Sequence, residues 1–173
     1  MQYYNEQNGK NVQVLGWDEG NQKGGTFANS FTDANKGKQI TQQFQQQGAD
    51  IVFPVAGGTG VGSAAAAQAS GGQLAVIWVD TDGCESVAQY CKYFLTSVTK
   101  NLSGSVQEYA TQAATGTFPT GNYIGTLENE GTGLAPFHDF DSKVPSELKS
   151  ELDQVKADII SGKINIQSPS QPQ

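Results

Sequence analysis

The chain has 173 residues, 36% of them hydrophobic and 16% charged, with 21 glycines and a formal net charge of −7. That length carries one domain with a sizeable core but not two large ones, and the composition is globular rather than disordered. Ten lysines and arginines scattered along an acidic chain form no basic face, which excludes nucleic acid and anionic membrane surfaces as partners.

The opening MQYYNEQNGK is polar and lacks the charged-then-apolar layout of a signal peptide. No apolar run approaches the eighteen or so residues that cross a bilayer. Taken alone, these features place the chain in the cytoplasm. Asn11–Gly16 alternates weakly and reads as a short strand, and Thr26–Asp33 reads as an extended segment. A helix follows, capped by Thr32 or Asp33, with Ile40 and Phe44 on one face, a glutamine-rich exposed side and Gly48 as its stop.

Ile51, Val52, Phe53 and Val55 form a strand without strict alternation, as expected when helices cover both faces. The alanine-dense Val61–Ser70 is a helix that can lie close to a sheet, and Leu74–Val79 is a second apolar strand. The order βαβαβ with short connections predicts an α/β fold with a parallel sheet flanked by helices. Ligands of such sheets bind at the carboxyl ends of the strands, which puts Ala56–Gly62 and Asp80–Asp82 at the expected binding edge. Beyond the cysteine loop, Phe94–Lys100 leads into a helix over Ser103–Thr115 with Val106, Tyr109, Ala110 and Ala113 on one stripe. Asn122–Leu127 is a short strand, and Glu128–Thr132 an acidic turn. Val144–Ser161 is the clearest helix: Pro145 suits its first turn, Leu148, Leu152, Val155 and Ile159 share a face, and Gly162 ends it. Residues 167–173 are a disordered tail by composition.

Gly60, Gly62 and Ala65 fit G-x-G-x-x-A between a strand and a helix, with Asp80 and Asp82 ending the next strand where a ribose-binding acid would stand. A Rossmann-like enzyme binding NAD or FAD is therefore one reading; glycines for a tight turn and alanines for close packing are the other. No P-loop and no G-x-S-x-G elbow are present. His138 can pair with Asp139 or Asp141, or simply sit hydrogen-bonded in a surface turn. Cys84 and Cys91 are either two free thiols or a closed ring. With CxxC absent and His138 far away in sequence, no zinc or other metal site is expected. Hydrolytic and redox catalysis lack their usual parts, so neither catalytic residue nor cofactor is assigned.

What remains is a binding site. An ionised aspartate at a strand end can accept from two adjacent hydroxyls, each bond worth about 1.5–3 kcal/mol against about 1 for a neutral acceptor, which suits a sugar. Lys100 is either a donor to another hydroxyl or a solvated lysine on a helix. Phe31, Phe27 or Trp17 can stack on a flat ring or belong to the core.

The segments GADIVFPVAGGTG, WVDTD, LTSVTK and GTGLAPFHDFDSKVPSELKSELDQVKADIISGKI resemble the second half of the basic membrane protein family, with similarity from about Val12 to Ile166. These are nucleoside-binding lipoproteins that feed ABC transporters and have a type I periplasmic-binding fold of two lobes. The resemblance implies a C-terminal lobe over residues 11–82 and 122–166, with 94–118 packing on an N-terminal lobe not in this chain. It implies a nucleoside ligand, a purine one for preference, and no catalysis. Asp80, chosen over Asp82, and Lys100 hold the ribose, Gly57 and Gly58 approach through backbone, and Phe31 stacks on the base.

By the same resemblance the partners are an ABC permease and either the absent lobe or a second copy. The setting is extracytoplasmic, with membrane attachment only through a lipidated N-terminus that this chain lacks. Such a setting favours a Cys84–Cys91 disulfide. A ligand-sensing module of the same fold is the remaining alternative.

Overall fold

The computed structural model describes residues 1–166 and 168, so the tail expected over 167–173 lies, apart from Ser168, outside the described residues. Two compact units divide the chain, Met1–Val76 and Ile77–Gln173. Hydrogen bonds link its strands in the order β1-β2-β3-β4.

The first unit holds α1 (Gln2–Asn8), a 3-10 turn at Glu19–Gly24, α2 (Ala34–Gln46), β1 (Ile51–Val52), a 3-10 turn at Gly57–Thr59, α3 (Gly60–Ala69) and the start of β2 (Ala75–Asp80). β1 and β2 run parallel, Ile51 opposite Ala75 and Val52 opposite Val76, which completes the βαβ unit. Asp33 caps α2 by accepting from the Lys36 N–H at 3.0 Å. The seam between α2 and α3 is made of small residues: Gly37 and Thr41 are buried, and Thr41 Oγ1 donates to Ser63 Oγ at 2.7 Å. Any Cβ on Gly37 would overlap the Thr59 carbonyl, and one on Gly62 the Ala34 carbonyl. Ile40 and Phe44 are only half-buried beside this seam.

Two expectations fail in this unit. Asn11–Gly16 is not a strand; the Asn5 side chain takes the place of a partner, accepting from the Val12 N–H at 2.9 Å and donating to its carbonyl at 3.0 Å, while Val12, Val14 and Leu15 stay exposed. β1 is two residues long, because Pro54 has no N–H to continue the ladder. Nor are both its faces covered, since Val52 is buried while Ile51, Phe53 and Val55 are exposed.

The second unit carries the rest of β2, α4 (Gly83–Ser86), a 3-10 turn at Ala88–Tyr93, β3 (Phe94–Lys100), α5 (Leu102–Ala114), β4 (Thr132–Leu134), a 3-10 turn at His138–Lys143 and α6 (Ser146–Ile160). Trp78 and Phe94, ring centroids 5.3 Å apart, lie in its core with Val79, Tyr93 and Ala135. Phe94–Lys100, with Thr96 and Ser97 buried, is itself a strand and leads into α5, the helix expected over Ser103–Thr115. β4 runs antiparallel to it, Val98 opposite Leu134 and Lys100 opposite Thr132, so the expected parallel sheet ends in an antiparallel pair.

The last strand is also displaced from Asn122–Leu127 to Thr132–Leu134. Asn129 organises the intervening turn: Oδ1 accepts from Thr126 N at 2.7 Å and Gly131 N at 2.9 Å, and Nδ2 donates to the Ile124 carbonyl at 2.9 Å. α5 buries none of its residues, and Leu102 and Val106 are exposed.

Along α6 the residues Leu148, Leu152, Val155 and Ile159 are half-buried, and Asp158 is more deeply buried than any of them. Its carboxylate accepts from Lys163 Nζ at 2.9 Å and Gln154 Nε2 at 2.8 Å, and these bonds, Lys163 first, hold its pKa below the ordinary 3.8. A folded-state pKa below the unfolded one stabilises above the unfolded value and loses that contribution as pH falls through the folded one. Asp158→Asn is therefore expected to lower the thermal midpoint at neutral pH, with the gap to the parent closing below about pH 3.8. Melting curves from pH 7 to strongly acidic solution check this.

Candidate ligand-binding site

Asp80 ends β2 and Lys100 ends β3, neighbouring strands, and Lys100 Nζ lies 2.6 Å from Asp80 Oδ1. Both side chains reach solvent, 62% exposed for Lys100 and 41% for Asp80. Asp80 has a φ of 71°, a left-handed conformation that costs an L-residue about 1–2 kcal/mol and is easiest for Asp and Asn. Strained backbone at an exposed, charged strand end is the kind of feature that collects at ligand sites. An exposed ion pair is worth only about 0–1 kcal/mol, so a ligand can open it at little cost. Once opened, it offers a carboxylate for two hydroxyl donors and an ammonium for a hydroxyl oxygen.

Neighbouring polar groups are already used. Asp82 Oδ1 accepts from the Cys84 N–H at 2.9 Å and Oδ2 lies 2.7 Å from His138 Nε2. Thr96 Oγ1 donates to the Ala135 carbonyl at 2.7 Å, and Ser97 Oγ accepts from the Gly83 N–H at 3.0 Å. Of the two carboxylates that end β2, Asp82 thus serves the loop and Asp80 faces outward.

In the first unit, Phe31 is fixed by its backbone and presents its ring. Ser30 Oγ accepts from the Thr32 and Asp33 N–H groups at 3.1 and 3.0 Å, Thr59 Oγ1 donates to the Ser30 carbonyl at 2.9 Å, and the Phe31 carbonyl accepts from Thr59 N at 3.1 Å. Phe31 remains 75% exposed. Gly57 has a φ of 52°, a left-handed conformation that favours glycine, and a Cβ on Gly58 would stand a tight 3.1 Å from the Phe31 carbonyl. Trp17 and Phe27 are also exposed.

His138 pairs with neither Asp139 nor Asp141; Asp141 instead holds Lys149 at 2.7 Å. Its partner Asp82 is 56 residues away, a separation that no local pattern reveals. Cys84 and Cys91 are joined as a disulfide, Cα atoms 4.4 Å apart, and a ring nitrogen of His138 lies within 4.8 Å of both sulfurs. Because the ring they close is short, the loop-entropy estimate for the disulfide is about 2.5 kcal/mol. Replacing both cysteines with serine is expected to lower the denaturation free energy by up to about that amount, as urea unfolding would read.

The sequence model of the Bmp family, described as ABC transporter substrate-binding protein PnrA-like, matches residues 26–170. The ABC transporter nucleoside-binding protein BmpA of Lactococcus lactis subsp. cremoris is 32% identical over 156 residues, covering 82% of this chain and 43% of that protein. The CD4+ T-cell-stimulating antigen of Listeria monocytogenes is 32% identical over 158 residues, covering 84% and 43%. Among solved structures, an ABC transporter system solute-binding protein from Aeropyrum pernix superposes with a TM-score of 0.80 at 22% identity, covering 98% of this chain and 52% of that one, which shows a shared fold. The chain thus spans less than half the length of the two curated relatives. With five-sixths of its residues inside the match, it belongs to the Bmp family of PnrA-like ABC transporter substrate-binding proteins.

Proposed function

We propose that this chain forms part of a solute-binding protein that takes up a nucleoside, preferably a purine one, and presents it to an ABC permease outside the cytoplasm. The observation that carries the reading is the Asp80–Lys100 pair: a strained, solvent-facing carboxylate beside an ammonium at adjacent strand ends. Such a pair suits the two neighbouring hydroxyls of a ribose. The similarity to a nucleoside-binding relative supports the same ligand. The chain carries out no bond chemistry on the solute in this reading.

A dinucleotide enzyme is the weaker reading. Gly62, the second glycine of the G-x-G-x-x-A match, is accounted for by its contact with α2, and Asp82 by its loop hydrogen bonds. Asp80 and Asp82 would also repel a phosphate placed near the ribose. Among the described residues no helix is long and apolar enough to cross a membrane. Attachment to the membrane through a lipidated segment, and enclosure of the ligand by a second lobe or a second copy, belong to the same proposal.

Phe31 is proposed to stack on the base. Phe31→Ala is expected to weaken nucleoside binding by about 1–3 kcal/mol while leaving stability unchanged, since the residue is 75% exposed. Thermal-shift measurements with a panel of nucleosides, sugars and dinucleotides test the ligand class. Stabilisation by nucleosides above all others supports the proposal, and stabilisation by NAD or FAD instead overturns it.

A further inference from the structure

We propose that the dithiol form of this chain holds a zinc-type divalent cation on Cys84, Cys91 and His138. The two sulfurs and a ring nitrogen of His138 all lie within 4.8 Å of one another. Tetrahedral zinc with sulfur at about 2.3 Å and nitrogen at about 2.0–2.1 Å needs its ligand atoms roughly 3.3–3.8 Å apart, inside the 4.8 Å within which these three groups lie. Three short elements converge on the point: Cys84 from α4, Cys91 from the turn Ala88–Tyr93, and His138 from the turn His138–Lys143.

Asp82 adds the second feature of such centres. Its Oδ2 is 2.7 Å from His138 Nε2, so the carboxylate orients the ring or serves as a fourth, oxygen ligand. Its Oδ1 holds the Cys84 N–H at 2.9 Å, tying the histidine's partner to the first cysteine. His138 is partly exposed, which leaves an entry path.

The chemistry balances simply. A dithiol reductant gives two electrons and two protons to the disulfide and becomes a disulfide itself; a newly made chain carries the two thiols from the start. The cation then displaces both thiol protons to solvent, and two thiolates neutralise its charge. Metal and disulfide thereby close the same loop in alternative redox states. This stands apart from the nucleoside reading, since it uses neither Asp80 nor Lys100.

The test uses the whole chain, reduced, freed of reductant and kept anaerobic, with Co²⁺ as an optical probe and Zn²⁺ as competitor. Expected are one equivalent of Co²⁺ with thiolate charge-transfer absorption, its displacement by Zn²⁺, no uptake by the disulfide form, and affinity at least about tenfold weaker in His138→Ala. Absence of uptake by the reduced chain would overturn the proposal. So would equal affinity in His138→Ala, the outcome expected if reduction unfolds the chain and two cysteines alone capture the metal.

Discussion

Asp80→Ala is expected to weaken nucleoside binding by about 30- to 150-fold while the fold persists. Two charge-assisted hydrogen bonds are nominally worth about 3–6 kcal/mol together. Asp80 is 41% exposed, so water competes for it, and about 2–3 kcal/mol is the reasonable loss, which converts to the stated range. Asp80→Asn separates charge from shape, because asparagine also tolerates the left-handed backbone that φ 71° imposes. It should melt with the parent and still bind more weakly. Unchanged affinity in Asp80→Ala would remove the pair from the binding site.

Gly62→Ala is the change expected to damage the fold most. In an exposed helix, alanine for glycine is favourable by up to about 1 kcal/mol. Here the added methyl would overlap the Ala34 carbonyl and crowd the Lys38 N–H, both backbone groups of α2. Backbone cannot rotate aside as a side chain does, so α2 and α3 must separate and loosen the Thr41–Ser63 hydrogen bond between them. Overpacking of this kind costs about 1–3 kcal/mol and occasionally more, enough to reverse the propensity gain. A net loss of about 2 kcal/mol, or a fall of roughly 4–8 °C in Tm for a chain this long, is the expected result in calorimetry. A gain in stability would show that the helices are not in the close contact described.

The βαβ unit and the short polar strands after it differ in how legible they are in the sequence. The glycine turn, the alanine helix and the apolar strand before Asp80 together specify a βαβ unit, because buried parallel strands and close helix packing leave strong compositional marks. The same holds for α6, whose period and bounding Pro145 and Gly162 agree with each other. Short polar strands left weaker marks. β3 carries the buried Thr96 and Ser97, whose hydroxyls bond to the Ala135 carbonyl and the Gly83 N–H, so its polarity hid a buried strand. β4 is three residues long and owes its position to the Asn129 turn more than to its own composition.

Site residues divide along the same line. Spacing alone does not choose between Asp80 and Asp82; the family resemblance points to Asp80, and in the structure Asp82 bonds to the Cys84 N–H and His138 while Asp80 pairs with Lys100. His138 is far from the cysteines in sequence yet within 4.8 Å of both sulfurs in space, because the chain returns through β4 to the cysteine loop. Apolar residues near the start, Val12, Val14 and Leu15, read as a strand but remain exposed, since hydrophobic alternation specifies a strand only where a partner edge is available.

A calorimetric titration with a purine nucleoside, its 5′-monophosphate and NAD, carried to millimolar ligand, tests the central claim most directly. The account predicts saturable heat with the nucleoside, weaker binding of the monophosphate because Asp80 and Asp82 repel it, and no heat with NAD. Tighter binding of the monophosphate or of NAD than of the nucleoside would contradict it.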